Sequence, residues 1–379
     1  MSIRIYLSSP HMGGNELNYI HEAFEQNWIA PLGPNVNNFE QKLETFLGDN
    51  TYVSALSAGT AALHLALVQC DVQKNDVVIC QSMTFAASAN PIVYLGATPV
   101  FVDSEEDTWN ICPESLEKAI LGCIEKGKKP KAIIAVHLYG MPFKADKIEE
   151  ICAKYDIPLI EDAAEALGST YKGKQCGTFG KFGVLSFNGN KIITTSGGGA
   201  LVCHSQQDKQ KTTFLSTQAR DNTPHYEHSN IGYNYRMSNI CAGIGCGQME
   251  VLTDRVNARR AINQHYRRLF KDIKGVTILS EPSEDYYSNY WLTTILIDPT
   301  LTNGKDREGL RLALLEKGIE SRPLWKPMHL QPIFKDCEYY GNGVAEKLFQ
   351  NGLCLPSGSN LTEQDLQEID QIIISFFQG

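Results

Sequence analysis

The chain has 379 residues, 42% of them apolar, a length and composition that favour about two domains with a large core. Its formal net charge of −9 excludes a nucleic-acid polyanion as the main partner, since phosphate-backbone binding draws on an excess of Lys and Arg. Its eleven cysteines form no C-x-x-C pair, and it shows neither a basic segment leading into an apolar core nor about 18 uninterrupted apolar residues; buried thiols, a cytoplasmic setting and no membrane contact are expected.

From about residue 52 to 161, short apolar runs alternate with helix-length segments. Runs 53–57, 76–80, 98–102, 132–137 and 157–161 read as buried strands, and 60–70, 114–125 and 144–155 as helices between them. That alternation predicts an α/β fold with a mostly parallel sheet. Strand-like runs at 184–187 and 200–204 then flank a glycine-rich connection. A helical stretch at 239–273 leads to a strand near 290–297, a helix near 307–317 and a last helix from 362. The expected division is a large α/β domain at 15–245 and a smaller C-terminal domain at 246–379, with the arm 1–14 packed against the latter.

The chemistry-bearing residues fall beyond the carboxyl ends of these strands, where ligands sit in open parallel sheets. Ser57-Ala58-Gly59-Thr60 closes one strand and opens a helix, which suits a phosphate cradle as well as an ordinary Ser/Thr cap. Asp162 ends another strand, where a carboxylate suits a protonated pyridine nitrogen or an acidic turn. No histidine lies near it at ligand spacing, so no metal is expected. Phe85 reads as a ring-stacking or a core aromatic. Lys191, followed by Gly197 to Gly199, is placed to form an imine with an aldehyde cofactor, because small neighbours let a bulky ring approach the backbone. Taken alone, it also reads as a solvated surface lysine.

Together the motifs S-x-G-T-A-A-L at 57–63, T-F-A-A-S at 84–88, E-D-A-A-E-A-x-G at 161–168, S-F-x-x-x-K at 186–191 and N-Y-R-M-S at 234–238 resemble the DegT/DnrJ/EryC1/StrS family of sugar aminotransferases, in order over nearly the whole chain. The resemblance implies a fold type I pyridoxal-phosphate enzyme: a large domain with a mostly parallel mixed sheet between helices, a smaller α+β domain, and a homodimer with shared active sites. It makes Lys191 the imine-forming lysine and Asp162 the partner of the pyridine nitrogen. Gly59, Thr60 and Ser186 hold the phosphate, Phe85 stacks on the ring, and Asn234 reaches the phosphate from the other subunit.

Glu165 stands where many relatives carry an amide beside the ring hydroxyl, and Asn188 stands where a histidine is often found. A related dehydratase branch has histidine in place of the lysine, so amino transfer is favoured over C-3 dehydration. The segments 7–16, 190–199 and 322–329 are similar to bacterial transaminases that make UDP-N-acetylbacillosamine precursors, which implies glutamate as donor and a UDP-linked 4-keto-6-deoxy sugar as acceptor, with GDP and dTDP sugars as alternatives. Arg236 reads as a fork for the donor carboxylate or a structural ion-pair partner. Asn188, Arg322, Trp325 and His329 are further candidates for the sugar or its diphosphate. A nicotinamide oxidoreductase is disfavoured because no G-x-G-x-x-G follows the first strand. A non-enzymatic regulator retaining the fold is the remaining alternative.

Overall fold

A computed structural model describes residues 2–378; Met1 and Gly379, at the outer ends of the expected arm and small domain, lie outside the described residues. Seven strands enter the main sheet in chain order: β1 (Tyr52–Leu56), β2 (Val77–Gln81), β3 (Thr98–Val102), β4 (Ala132–Val136), β5 (Leu159–Asp162), β6 (Phe182–Ser186) and β7 (Gly199–Cys203). They are followed by β8 (Val276–Ile278), β9 (Thr293–Ile297), β10 (Arg322–Pro323), β11 (Tyr339–Tyr340) and β12 (Gly352–Leu355). Of these, β11 returns to the main sheet, giving the order β1-β7-β6-β5-β4-β2-β3-β11, while the others form a smaller antiparallel sheet in the order β8-β9-β12-β10.

All pairings from β6 to β11 are parallel, and β7 alone runs against its neighbours β1 and β6. Strands β2, β4, β5 and β7 are buried along their whole length, which is why β4 and β7 read as unbroken apolar runs rather than alternating ones, while β2 ends in the buried Gln81 and β5 in the buried Glu161 and Asp162. The helices α1 (Glu16–Glu25), α2 (Pro34–Leu47), α3 (Gly59–Gln69), α4 (Pro113–Glu125) and α5 (Ala145–Tyr155) precede α6 (Asn239–Glu250), α7 (Leu252–Phe270), α8 (Arg307–Glu316) and α9 (Glu363–Gln378). On one face of the sheet, Phe39 and Leu43 of α2 pack with Ala200 and Val202 of β7 and Ala242 and Cys246 of α6. Leu63 and Leu67 of α3 pack on the other face with Ile134 and Val184.

Two expectations need correction. The helical stretch expected at 239–273 is two helices, because Val251 sits between them at φ −114°, ψ 6°; its N–H bonds the carbonyl three residues back, at 3.2 Å, tightening the turn that ends α6. The strand expected from 290 starts at Thr293, since Tyr290 adopts a left-handed φ of 45° and Trp291 N–H is taken by the Asn289 side chain at 2.8 Å. In the C-terminal part, Ile262, Tyr266 and Phe270 of α7 bury against Ile295, Ile297, Leu353 and Leu355. The arm joins this core through the Ile5 to Ile319 bridge and the Ser357 N–H bond to Leu7 O. Residues 245 and 246 both fall inside α6.

Candidate active site

The reversed strand β7 brings the chemistry to one end of the sheet. Leu56 of β1, Gly199 of β7 and Ser186 of β6 lie side by side, and Asp162 of β5 pairs with Val184, two residues before Ser186 on β6. The cradle after β1 and the lysine loop between β6 and β7 therefore open at the same edge as Asp162.

Helix α3 begins at Gly59 with Ala58 as its extended N-cap, and no side chain accepts from its first turn. A Ser/Thr cap is thus absent, and the free N–H groups suit an anion. Space is the second constraint. A Cβ at Gly59 would sit 3.2 Å from Ser186 Cβ, and one at Gly199 would sit 2.3 Å from the Gly59 nitrogen. A Cβ at Gly198 would meet Thr195 Oγ1 at 2.2 Å. The glycine run after Lys191 thus lets β7 lie directly under the cradle. Gly199→Ala is expected to shift the Gly59 amide and weaken cofactor binding about tenfold or more, the equivalent of roughly 1–3 kcal/mol of overpacking. Fluorescence titration of the cofactor-free protein measures it, and unchanged affinity would disconnect this glycine from the cradle.

Lys191 lies on a loop closed at its base by the Phe187 N–H bond to Gly198 O and the Thr195 N–H bond to Phe187 O, both 2.9 Å. Its Nζ stands 3.5 Å from Glu165 Oε1 and 4.1 Å from the centre of the Trp291 ring. Glu165 Oε2 accepts the Tyr139 N–H at 2.7 Å. Burial pushes the Glu165 carboxyl above its ordinary range, while the nearby Lys191 charge and the Tyr139 N–H pull it back. Tyr139 itself is held at a left-handed φ of 54°. Asp162 Oδ2 accepts the Ser88 hydroxyl at 2.6 Å, Ser88 in turn bonds Thr84 at 2.7 Å, and Oδ1 accepts the Ala164 N–H at 3.2 Å.

These groups line one cavity of about 290 Å³, which brings together Gly59, Thr60, Phe85, Asp162, Glu165, Ser186, Asn188, Lys191 and Trp325. Phe85 is 55% exposed, unusual for a core aromatic, and lies 5.5 Å from the Trp325 ring. No group of three or more His, Cys, Asp or Glu among the described residues is arranged to hold a metal.

Four candidates stand outside the cavity. Arg236 bonds Glu40 at 2.5 Å and Ala55 O at 3.1 Å, so its guanidinium is used in packing α2 against β1. Arg322 is exposed and pairs with Glu320 at 2.7 Å. His329 bonds Ser82 at 2.7 Å and Glu346 at 3.2 Å and stacks on Tyr339 at 3.7 Å. Asn234 is exposed in a bridge to Thr217 and does not line the cavity of its own chain. Conversely, Trp291, Tyr139 and Ser88 touch the key groups and were not anticipated; the signal available for Ser88 was its place in T-F-A-A-S, which also supplied Phe85.

An uncapped helix start against a glycine floor, a carboxylate at a strand end and a lysine between them fit pyridoxal phosphate, and the fold and site together define a fold type I pyridoxal-phosphate enzyme. The profile of the DegT/DnrJ/EryC1/StrS aminotransferase family matches residues 10–373. The chain belongs to that family, and its cofactor is pyridoxal phosphate. It is 50% identical to EpsN of Bacillus subtilis (strain 168), over 100% of this chain and 97% of that one. It is 37% identical to the GDP-perosamine synthase of Escherichia coli O157:H7, over 97% of each. A DegT/DnrJ/EryC1/StrS aminotransferase from Brucella abortus superposes with a TM-score of 0.89 at 31% identity, covering 96% of each chain. No helix among the described residues is long and apolar enough to cross a membrane.

Proposed function

We propose that this aminotransferase moves the amino group of glutamate to the C4 ketone of a nucleotide-linked 4-keto-6-deoxy sugar, with UDP-2-acetamido-2,6-dideoxy-4-ketohexose as the acceptor tried first. The observation that carries the reading is the placement of Lys191 Nζ in a cavity between Glu165 and Trp291, with Asp162 lining the same space. The similarity to a GDP-perosamine synthase supports a nucleotide-linked sugar and keeps GDP-linked acceptors as the second reading. Bound pyridoxal phosphate supplies an aldehyde and an electron-accepting ring. Gly59, Thr60 and Ser186 would hold its phosphate, and Phe85 would cover the ring. Asp162, fixed by Ser88, would favour the protonated pyridine nitrogen of that ring. Lys191 Nζ takes the proton from the α-carbon of glutamate in one half-reaction and delivers a proton to C4 of the sugar in the other. Asn188 and Trp325, at the cavity wall, contact the sugar.

Mixing the purified protein with glutamate and a panel of UDP-, GDP- and dTDP-linked 4-keto-6-deoxy sugars tests the assignment. The expected result is a 4-amino sugar product with one nucleotide preferred, and no product from any member overturns it. A visible absorbance removed by borohydride and not restored by dialysis separates a cofactor enzyme from a regulator.

The same reading makes the protein a dimer with shared sites and divides it into a cofactor-binding region at 15–245 and a smaller one at 246–379. Large apolar side chains stand exposed at Phe24, Trp28, Ile29, Leu32, Tyr226 and Ile231, more than an isolated subunit leaves in water without use. Asn234, exposed near Tyr226 and Ile231 in the chain, is assigned to the partner's phosphate. Mixing inactive Lys191→Ala subunits with inactive Asn234→Leu subunits is then expected to restore about a quarter of wild-type activity, since half the subunits pair heterologously and one site of each such pair has both residues intact. If verified subunit exchange restores nothing, Asn234 does not cross the interface.

A further inference from the structure

Trp291 is the best-anchored group near the reactive lysine, and nothing in its sequence context marks it. Its indole N–H donates to Asn190 O at 2.7 Å, its backbone N–H donates to Asn289 Oδ1 at 2.8 Å, and its carbonyl accepts Arg259 Nη1 at 2.5 Å. Arg259 is buried with no carboxylate partner among the described residues, and that burial, with Arg255 nearby, pulls its guanidinium down to about 9. It also donates to Ser357 O at 3.1 Å and to Ser8 Oγ at 2.9 Å, and Ser8 donates to the same Asn190 carbonyl at 2.7 Å. Asn289 closes the ring of contacts, donating to Glu165 O at 3.0 Å and Leu167 O at 2.9 Å. The indole is therefore fixed both to the peptide that precedes Lys191 and to the turn that carries Glu165.

We propose that Trp291 is a positioning residue for Lys191: its indole face holds the free ammonium beside Glu165 whenever the lysine is not covalently engaged. The proposal rests on Lys191 being the reactive lysine. A four-carbon chain released from a covalent bond regains rotamers that carry it away from the reacting carbons. A ring centre 4.1 Å from Nζ lies within cation–π range, and it attracts more strongly where water is scarce. Glu165, 3.5 Å away, supplies a second direction of attraction, so the two groups together fix a point rather than a surface. Tyr139 supports both, lending its N–H to Glu165 and lying nearly parallel to Trp291, with ring centres 6.4 Å apart and planes inclined by 17°.

The test needs neither sugar nor donor, so its outcome is independent of the substrate assignment. Holoenzyme loaded with pyridoxamine phosphate, in which Lys191 is free, is trace-acetylated with acetic anhydride at neutral pH. Acetylation of the Lys191 peptide is then read by mass spectrometry against the other lysines. Trp291→Leu removes the face and is expected to raise Lys191 acetylation about fivefold, while Trp291→Phe, which keeps a face but no N–H, stays within about twofold of wild type. Trp291→Met replaces the leucine variant if that one does not fold. Equal acetylation in the wild type and the faceless variant overturns the proposal. So does an equal rise in the phenylalanine and faceless variants, because the anchor and not the face would then be responsible.

Discussion

Lys191→Ala is expected to lower transamination by at least about 10⁴-fold, the equivalent of roughly 5.4 kcal/mol, because it removes both the imine-forming amine and the proton carrier. The fold is expected to survive. Lys191 lies on a loop whose base is held by backbone hydrogen bonds from Phe187 and Thr195, and its partner Glu165 keeps the Tyr139 N–H. Steady-state rates together with circular dichroism check both halves of the expectation. Near wild-type turnover in a folded variant would remove Lys191 from the chemistry.

Asp162→Asn keeps the shape of the side chain and its contact with Ser88 while withdrawing the charge. Cofactor is expected to bind, with the proton-transfer step slowed by about a thousandfold, the equivalent of roughly 4 kcal/mol, because a neutral amide no longer favours a protonated pyridine nitrogen. Single-turnover measurement with glutamate isolates that step from sugar binding. A change of less than about tenfold would place the ring nitrogen elsewhere.

The groups legible in the sequence were those whose local context states their geometry. Gly59, Asp162 and Lys191 each sit just beyond an apolar run, and a strand end followed by glycine or a helix start marks the ligand edge of a parallel sheet wherever it occurs. Trp291 and Tyr139 were not legible. An aromatic in an apolar stretch reads as core, and the left-handed backbone of Tyr139 leaves no compositional trace. Arg236 was open between two readings, and its partner Glu40 lies too far away in the chain for spacing to pair them. The reversal of β7 was hidden for a related reason: a strand buried on both faces has no alternation, and hydrophobic pattern carries no direction. Helix α2 was the avoidable omission, since Pro34 at its start and Val36, Phe39, Leu43 and Leu47 at helical spacing mark a buried stripe.

The edge position of β1 orders events during synthesis. Its strand neighbour in the sheet is β7, and its other side has only the Leu56 to Arg236 bridge as backbone pairing among the described residues, so Tyr52–Leu56 leaves the ribosome long before the segments that will hold it. The loop that must close is long, and its entropy cost falls on this pairing rather than on the local β2 to β5 units. The uncapped turn at the start of α3 is thus expected to be among the last parts of the sheet to take shape, although it is encoded in the first sixth of the chain. A ligand that binds only the finished edge stabilises it by mass action. Removal of the cofactor is therefore expected to favour opening at segment 52–69, which limited proteolysis of the cofactor-free and cofactor-loaded protein would read as faster cleavage there in the former.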